Sequence, residues 1–184
     1  GYIWGDTYEF DQTATLDDIL TKVFDEMWNA VQKEGLDAKY QAEGYTLHQG
    51  ITLASIVQRE STGDYESRRH VAQVFLTRLQ RGIVLGSDAI IAYRADQINP
   101  DRNKNDMSYL NTIQCPWNSR RCAGLPPTPI STPSLASMKA VADPTDTNDL
   151  YFLTGDDGKM YYATTEAGHN ANIRNYCKEL CKVL

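Results

Sequence analysis

Three stretches in the first 82 residues repeat apolar side chains at helical spacing, and each runs into a glycine. Leu20, Val23, Phe24, Met27, Trp28 and Val31 precede Gly35; Leu53, Ile56 and Val57 precede Gly63; Val71, Val74, Phe75 and Leu79 precede Gly82. A period near 3.6 closed by glycine is the signature of amphipathic helices ending in left-handed caps. So much helix this early limits the chain to a mainly helical fold. Strands have to come from what remains.

The first helix starts at a Thr15-x-x-Asp18 capping signal and stops at Gly35. Residues 37–46 are polar and read as a connection. The second helix is expected over about 51–61 and the third over about 65–81. Ser87 caps a short helix over 88–94. Residues 95–129 show little periodicity, and a loop that long is usually functional or disordered. Thr132-Pro133 opens a helix to about Val141, with proline in its first turn. Residues 150–154 and 159–163 flank Gly155-Asp156-Asp157-Gly158 and read as a β-hairpin. A last helix is expected from about Thr165 to the end, with Ile173, Tyr176, Cys177, Leu180 and Leu184 on one face. The aromatic segment 1–10 reads as extended. The fold class is therefore α+β: mainly helical, with a small antiparallel sheet that includes the hairpin near 150–163 and is completed by the N-terminal segment or loop strands.

With 184 residues and no linker or internal repeat, residues 1–184 read as one domain. The chain begins at Gly1 without an initiator methionine and reads as a piece of a longer protein, with any targeting segment upstream. Its net charge is −6, and no Lys/Arg run exceeds two, which excludes a dedicated nucleic-acid binder. The longest apolar run, Ala89–Tyr93, is five residues, far short of the ~18 of a membrane span. No membrane contact is expected from this segment itself.

Cys115 and Cys122 bracket a polar segment, Pro-Trp-Asn-Ser-Arg-Arg, and read as a disulfide at the base of a loop, which places the chain in an oxidising compartment. Cys177 and Cys181 fall four apart in the last expected helix. Helical spacing would hold their Cβ atoms ~5–6 Å apart, beyond the ~3.8 Å of a bridge. They read as two small unpaired core residues.

The position one turn beyond Leu53, Ile56 and Val57 is Glu60, an acid on the extension of a buried face. Burial penalises the charged carboxylate and raises its pKa, which suits a general acid near neutral pH. A helix-end glutamate that tilts into solvent, or pairs with Arg59 or Arg68, fits the spacing as well. Ser87 and Asp88 read as a helix cap and a first-turn acid, or as site residues. Asn111 and Thr112 could hydrogen-bond a sugar or make turns. Gly124–Pro129 could wall a groove or brace a loop, and His169-Asn170 could be functional or structural. Scattered histidines and the lack of HExxH argue against a zinc hydrolase; the chain also has no P-loop, dinucleotide fingerprint or G-x-S-x-G elbow. What remains is carboxylate chemistry on a polar polymer. Eleven tyrosines and three tryptophans fit a carbohydrate groove, or simply a core.

Taken together, these segments resemble the MltG/YceG-like family of endolytic murein transglycosylases. Residues 1–8 (GYIWGDTY) are similar to its "GYLFPDTY" and residues 53–60 (LASIVQRE) to "LASIVEKE". Val74-Phe75 with Arg78-Leu79 resembles "VFxNRL", and Leu85-Gly86-Ser87-Asp88 resembles "LQSDP". Asn111-Thr112 is similar to "YNTY", residues 124–130 to "GLPPGPI", Tyr151-Phe152 to "LYFV", and His169-Asn170 to the closing "HN". The chain departs from the pattern at Ala89, Ile113 and Thr128, and residues 115–122 look like an insertion. Trp117, Arg120 and Arg121 in that insertion either touch substrate or belong to a plain surface loop.

The resemblance implies that Glu60 is catalytic and that Ser87, Asp88, Asn111, Thr112 and Asn170 bind substrate. It implies a lytic cleavage of the β-1,4 bond between N-acetylmuramic acid and N-acetylglucosamine in peptidoglycan glycan strands, leaving 1,6-anhydro ends, with no metal or cofactor. It further implies an upstream membrane anchor and LysM-like region, a location on the outer face of the bacterial cytoplasmic membrane, and cell-wall synthases as partners of the full-length protein. The alternatives are a hydrolase that uses Asp88 as a second carboxylate, and a glycan-binding module without catalysis.

Overall fold

The structure is a computed structural model that describes residues 1–61, 63–103 and 108–183. Its order is α1 (Leu16–Glu34), α2 (Leu36–Ala42), α3 (Leu47–Glu60), α4 (Tyr65–Gln80), α5 (Asp88–Ile98), α6 (Tyr109–Thr112), α7 (Leu135–Ala142), β1 (Tyr151–Thr154), β2 (Met160–Ala163) and α8 (Glu166–Tyr176), followed by a 3-10 turn over Leu180–Val183. The mainly helical α+β class is observed.

Helix α3 is the axis of the molecule. Every residue from Gly50 to Val57 is buried, so it is a core helix enclosed on all sides, unlike a surface helix with one apolar stripe. Helices α2, α4 and α7 pack around it through Leu36, Tyr40, Val71, Phe75, Met138 and Val141. Each such side chain contributes roughly 1.5–3 kcal/mol by leaving water. Helix α3 meets the surface at its two ends, at His48 and Gln49 in the first turn and at Gln58, Arg59 and Glu60 in the last.

Capping explains most boundaries. Thr15 and Asp18 form a reciprocal capping box, and Gly35 closes α1 at φ 62°. Thr46 and Gln49 form a second box, which starts α3 four residues earlier than its apolar spacing indicated. Asp64 caps α4 through Ser67 N–H.

Several expectations are corrected. The polar stretch read as a connection contains α2, because Leu36 and Tyr40 lie on one face and both are buried. Only two of its seven residues, Leu36 and Tyr40, are large and apolar, too few to show periodicity. Helix α7 starts at Leu135, after Ser134 takes the cap by accepting Ser137 N–H, rather than at Thr132-Pro133. The sheet is only the hairpin, with Tyr151 opposite Ala163 and Thr154 opposite Met160. Residues 1–10 are irregular and add no strand.

The last helix does not run to the end. It stops at Tyr176, where the Asp156 carboxylate in the hairpin turn accepts N–H bonds from Lys178, Glu179 and Leu180 at 2.7–3.2 Å. The chain turns there, bringing Cys177 and Cys181 together with a Cα separation of 5.4 Å, and they form a disulfide. The expectation of free cysteines failed because it assumed a helix through both. The Cys115–Cys122 disulfide is present as expected, with a Cα separation of 6.0 Å.

Candidate active site

Glu60 is the last residue of α3, set where the buried helix emerges beside a groove of about 480 Å³. That size suits a small-molecule or sugar-unit pocket. One wall is the turn Leu85–Asp88 before α5. Another is β1, with α8 behind it. Glycine at 86 is favoured by its φ of 67°, and a Cβ there would crowd Arg78 Nη1 at 3.0 Å.

The turn delivers Ser87 to Glu60. Ser87 Oγ donates to Glu60 Oε1 at 2.5 Å. Ser87 is the N-cap residue of α5, yet its side chain makes no cap bond. Its hydroxyl serves Glu60 instead. Glu60 as a whole residue is half-buried, but its carboxyl is largely withdrawn from water. Burial pushes the carboxyl above its ordinary value. The Ser87 hydrogen bond opposes this, the Asp88 charge adds to it, and the Ala89 N–H and Arg59 pull the other way. The net direction is upward, toward a protonated acid.

Asp88 lines the same groove but is not free. Arg120 Nε and Nη2 reach its two oxygens at 2.6 and 2.7 Å, a bidentate pair.

Opposite this turn, Arg78 ties the walls together. Its Nε donates to Leu150 O at 2.6 Å, and its Nη1 donates to Leu85 O at 2.9 Å and Val84 O at 3.2 Å. The guanidinium carbon lies 5.1 Å from the Tyr151 ring centroid, and Tyr151 stacks on His169 at 5.2 Å. Burial, then the Arg78 charge, hold the His169 imidazole below its ordinary pKa. A neutral imidazole, a guanidinium and an aromatic face therefore share one side of the groove, which offers donors and a flat apolar surface to a sugar polymer.

Of the residues singled out from sequence, Glu60, Ser87 and Asp88 come together. Asn111 and Thr112 do not reach this groove: both are exposed on α6, and Thr112 lines a separate cavity with Tyr109. Asn170 is exposed beside His169, and it is His169 that lines the groove. Arg78 and Tyr151 were visible only as parts of motifs. Nothing in the local sequence marked Arg120 as the partner of Asp88, since the contact spans 32 positions. Trp117 packs against Tyr93, with Arg94 over its ring, so it belongs to the fold.

The chain is a mainly helical α+β domain that ends a buried helix in a desolvated glutamate, beside a groove lined by aromatic and polar side chains. The chain belongs to the YceG-like family, whose sequence model matches residues 1–175. It is 29% identical over 181 residues to a Streptococcus pneumoniae protein named endolytic murein transglycosylase, covering 96% of this chain and 32% of that protein. A Bacillus subtilis protein of the same name is 28% identical over 178 residues, covering 96% of this chain and 47% of that protein. The crystal structure of a putative YceG-like protein from Listeria monocytogenes superposes with a TM-score of 0.80 at 28% identity, over 93% of this chain and 54% of that one. The chain thus spans about a third to a half of the length of these relatives.

Proposed function

We propose that this chain is the catalytic part of a lytic transglycosylase acting on peptidoglycan glycan strands. The observation that carries this reading is the Glu60 carboxyl: desolvated, raised in pKa, hydrogen-bonded by Ser87 and open to the groove. Membership of the YceG-like family and the names of the relatives support it.

Glu60 begins protonated and gives its proton to the oxygen of the β-1,4 bond between N-acetylmuramic acid and N-acetylglucosamine. The C1–O bond breaks, and C1 of the muramic sugar takes on oxocarbenium character. The C6 hydroxyl of that sugar attacks C1, and its proton passes to the Glu60 carboxylate. The enzyme is restored, no water is consumed, and the product ends in a 1,6-anhydro ring. One group serves as acid and then base. Full-length partners among cell-wall synthases, and a place on the outer face of the cytoplasmic membrane, belong to the same proposal.

A hydrolase reading needs a second carboxylate, ~5–5.5 Å from the first if retaining or ~6.5–9.5 Å if inverting. Asp88 lines the same groove, but Arg120 occupies both its oxygens. That pairing favours the single-acid mechanism.

The test is mass spectrometry of glycan strands digested with the wild type and with Glu60→Gln. Anhydro ends made by the wild type alone support the proposal. Reducing ends carrying a water oxygen overturn it in favour of hydrolysis. No cleavage by the wild type also overturns it, for this chain acting alone.

A further inference from the structure

The disulfide-closed segment 115–122 packs against the back of the turn that carries Ser87 and Asp88. Its centre is not a loose surface loop. Asn118 and Ser119 are buried, at 0% and 3% exposure. Asn118 Nδ2 donates to Leu110 O at 3.0 Å and to Ile113 O at 2.8 Å. Asn118 O accepts the N–H groups of Arg121 and Cys122 at 3.0 and 2.9 Å, forming the turn that the disulfide closes.

From that fixed turn, the next two residues grip the 86–88 segment. Ser119 Oγ donates to Ser87 O at 2.6 Å, and Ser119 O accepts Gly86 N–H at 2.8 Å. Arg120 holds both oxygens of Asp88. The contacts therefore run from the Cys115–Cys122 staple through Ser119 to Ser87, and from Ser87 Oγ to Glu60.

We propose that the stapled 115–122 loop is a positioning device for Glu60, in which Ser119 fixes the Ser87 backbone so that its hydroxyl meets the carboxyl, and Arg120 neutralises the neighbouring Asp88. None of these loop side chains makes a hydrogen bond to Glu60. They act through Ser87 and Asp88. This proposal rests on Glu60 being the catalytic acid.

The physical logic is positional and electrostatic. A hydroxyl donor stabilises a carboxylate only when held at hydrogen-bond distance and angle. An irregular segment keeps such a geometry only when its surroundings fix it, and here a covalent closure and a buried asparagine do so. The charged and titratable groups around Glu60 are Asp88 on α5, Arg59 on α3, Arg78 on α4 and His169 on α8, with Arg120 arriving from the loop. The negative charge of Asp88 pushes the Glu60 pKa up, and Arg120 sits on both Asp88 oxygens, where an opposite charge offsets that of the carboxylate. Loosening the loop weakens the Ser87 bond and bares Asp88. Both changes raise the Glu60 pKa further.

The test reads the titration of Glu60 directly, by carbon-13 NMR of glutamate-labelled protein. The Glu60 carboxyl signal is identified by its loss in Glu60→Gln. Ser119→Ala and Arg120→Gln should each move its midpoint upward by about half a unit, and Ser119→Thr, which keeps the hydroxyl, should restore the wild-type value. Replacing Cys115 and Cys122 by serine should move it in the same direction. In glycan cleavage, kcat should fall about five- to tenfold with KM within twofold, and the alkaline limb of kcat should shift upward. A merely structural loop would lower the amount of folded protein without moving the midpoint. The proposal is overturned if Ser119→Ala and Arg120→Gln both leave the midpoint at its wild-type value. These two variants decide the matter if the double cysteine variant does not fold. A wild type that cleaves nothing overturns the catalytic reading, while the NMR midpoint still decides the role of the loop.

Discussion

Ser87 Oγ lies 2.5 Å from Glu60 Oε1, although the two residues are 27 positions apart and one ends a helix while the other begins one. The serine gives up the cap of its own helix for this contact. Its bond favours the carboxylate against a burial that favours the acid. Ser87→Ala removes the side-chain hydrogen bond that lowers the Glu60 pKa. The expected result is a further rise in that pKa and a kcat reduced by about five- to tenfold, equivalent to one hydrogen bond of ~1–1.5 kcal/mol. A pH–rate profile checks it: the alkaline limb should move to higher pH, because the protonated acid starts the reaction.

Glu60→Gln should cost at least about 100-fold in turnover, the lower range for acid–base catalysis. It should also stabilise the fold at neutral pH. The folded protein holds the Glu60 proton more tightly than the unfolded chain, whose carboxyl keeps its ordinary value of 4.5. Stability linked to this group is fully present below that value and is lost as pH rises through the folded value. The amide has no charge to bury. Melting curves should therefore show the variant above the wild type at pH 7–8 and the two converging near pH 4. A wild type more stable than the variant at pH 8 would contradict the burial of Glu60.

These two positions also show what the sequence made legible. Glu60 was visible because α3 is long, apolar and regular, so the residue one turn beyond Val57 had to lie on the extension of a buried face. The hairpin and the caps at Thr15 and Gly35 were legible for the same local reason. Arg120 was not, because its partner Asp88 is 32 positions away and ion pairs leave no periodic trace. Asn111 and Thr112 were drawn to the site by their polar side chains in a long loop and by motif resemblance, and the structure puts them exposed on the short helix α6. The end of α8 was missed because the Asp156 carboxylate that stops it belongs to a different element.

Arg78 should behave as a three-way tie rather than as a simple charge. Its planar fork reaches carbonyls of Val84, Leu85 and Leu150, joining the Ser87 turn to β1 across the groove. Lysine keeps the charge but cannot span that set. Arg78→Ala and Arg78→Lys should both destabilise by roughly 2 kcal/mol, since each leaves partly buried carbonyls without donors. Denaturant unfolding midpoints check this. A lysine variant that unfolds with the wild type would mean that charge alone matters here.

The last prediction sets helix propensity against packing. Alanine is the better helix former than glycine by about 1 kcal/mol, and Gly50 lies inside α3 with no left-handed angle to excuse it. Propensity alone says that Gly50→Ala stabilises. But a Cβ at this position would fall 2.2–2.5 Å from three ring atoms of Tyr40. That ring cannot swing aside, because it is buried and its hydroxyl donates to Met138 O at 2.8 Å, locking α2 to α7. The added methyl must therefore push α2 away from α3 or break the tyrosine bond. Overpacking of this kind costs about 1–3 kcal/mol, more than the propensity returns. Gly50→Ala should lower the melting temperature by about 2–6 °C. Tyr40→Phe in the same background should recover part of the loss by freeing the ring to move. An unchanged or raised melting temperature for Gly50→Ala would show that α2 yields to the methyl, and that the ring contact does not set the spacing of the core.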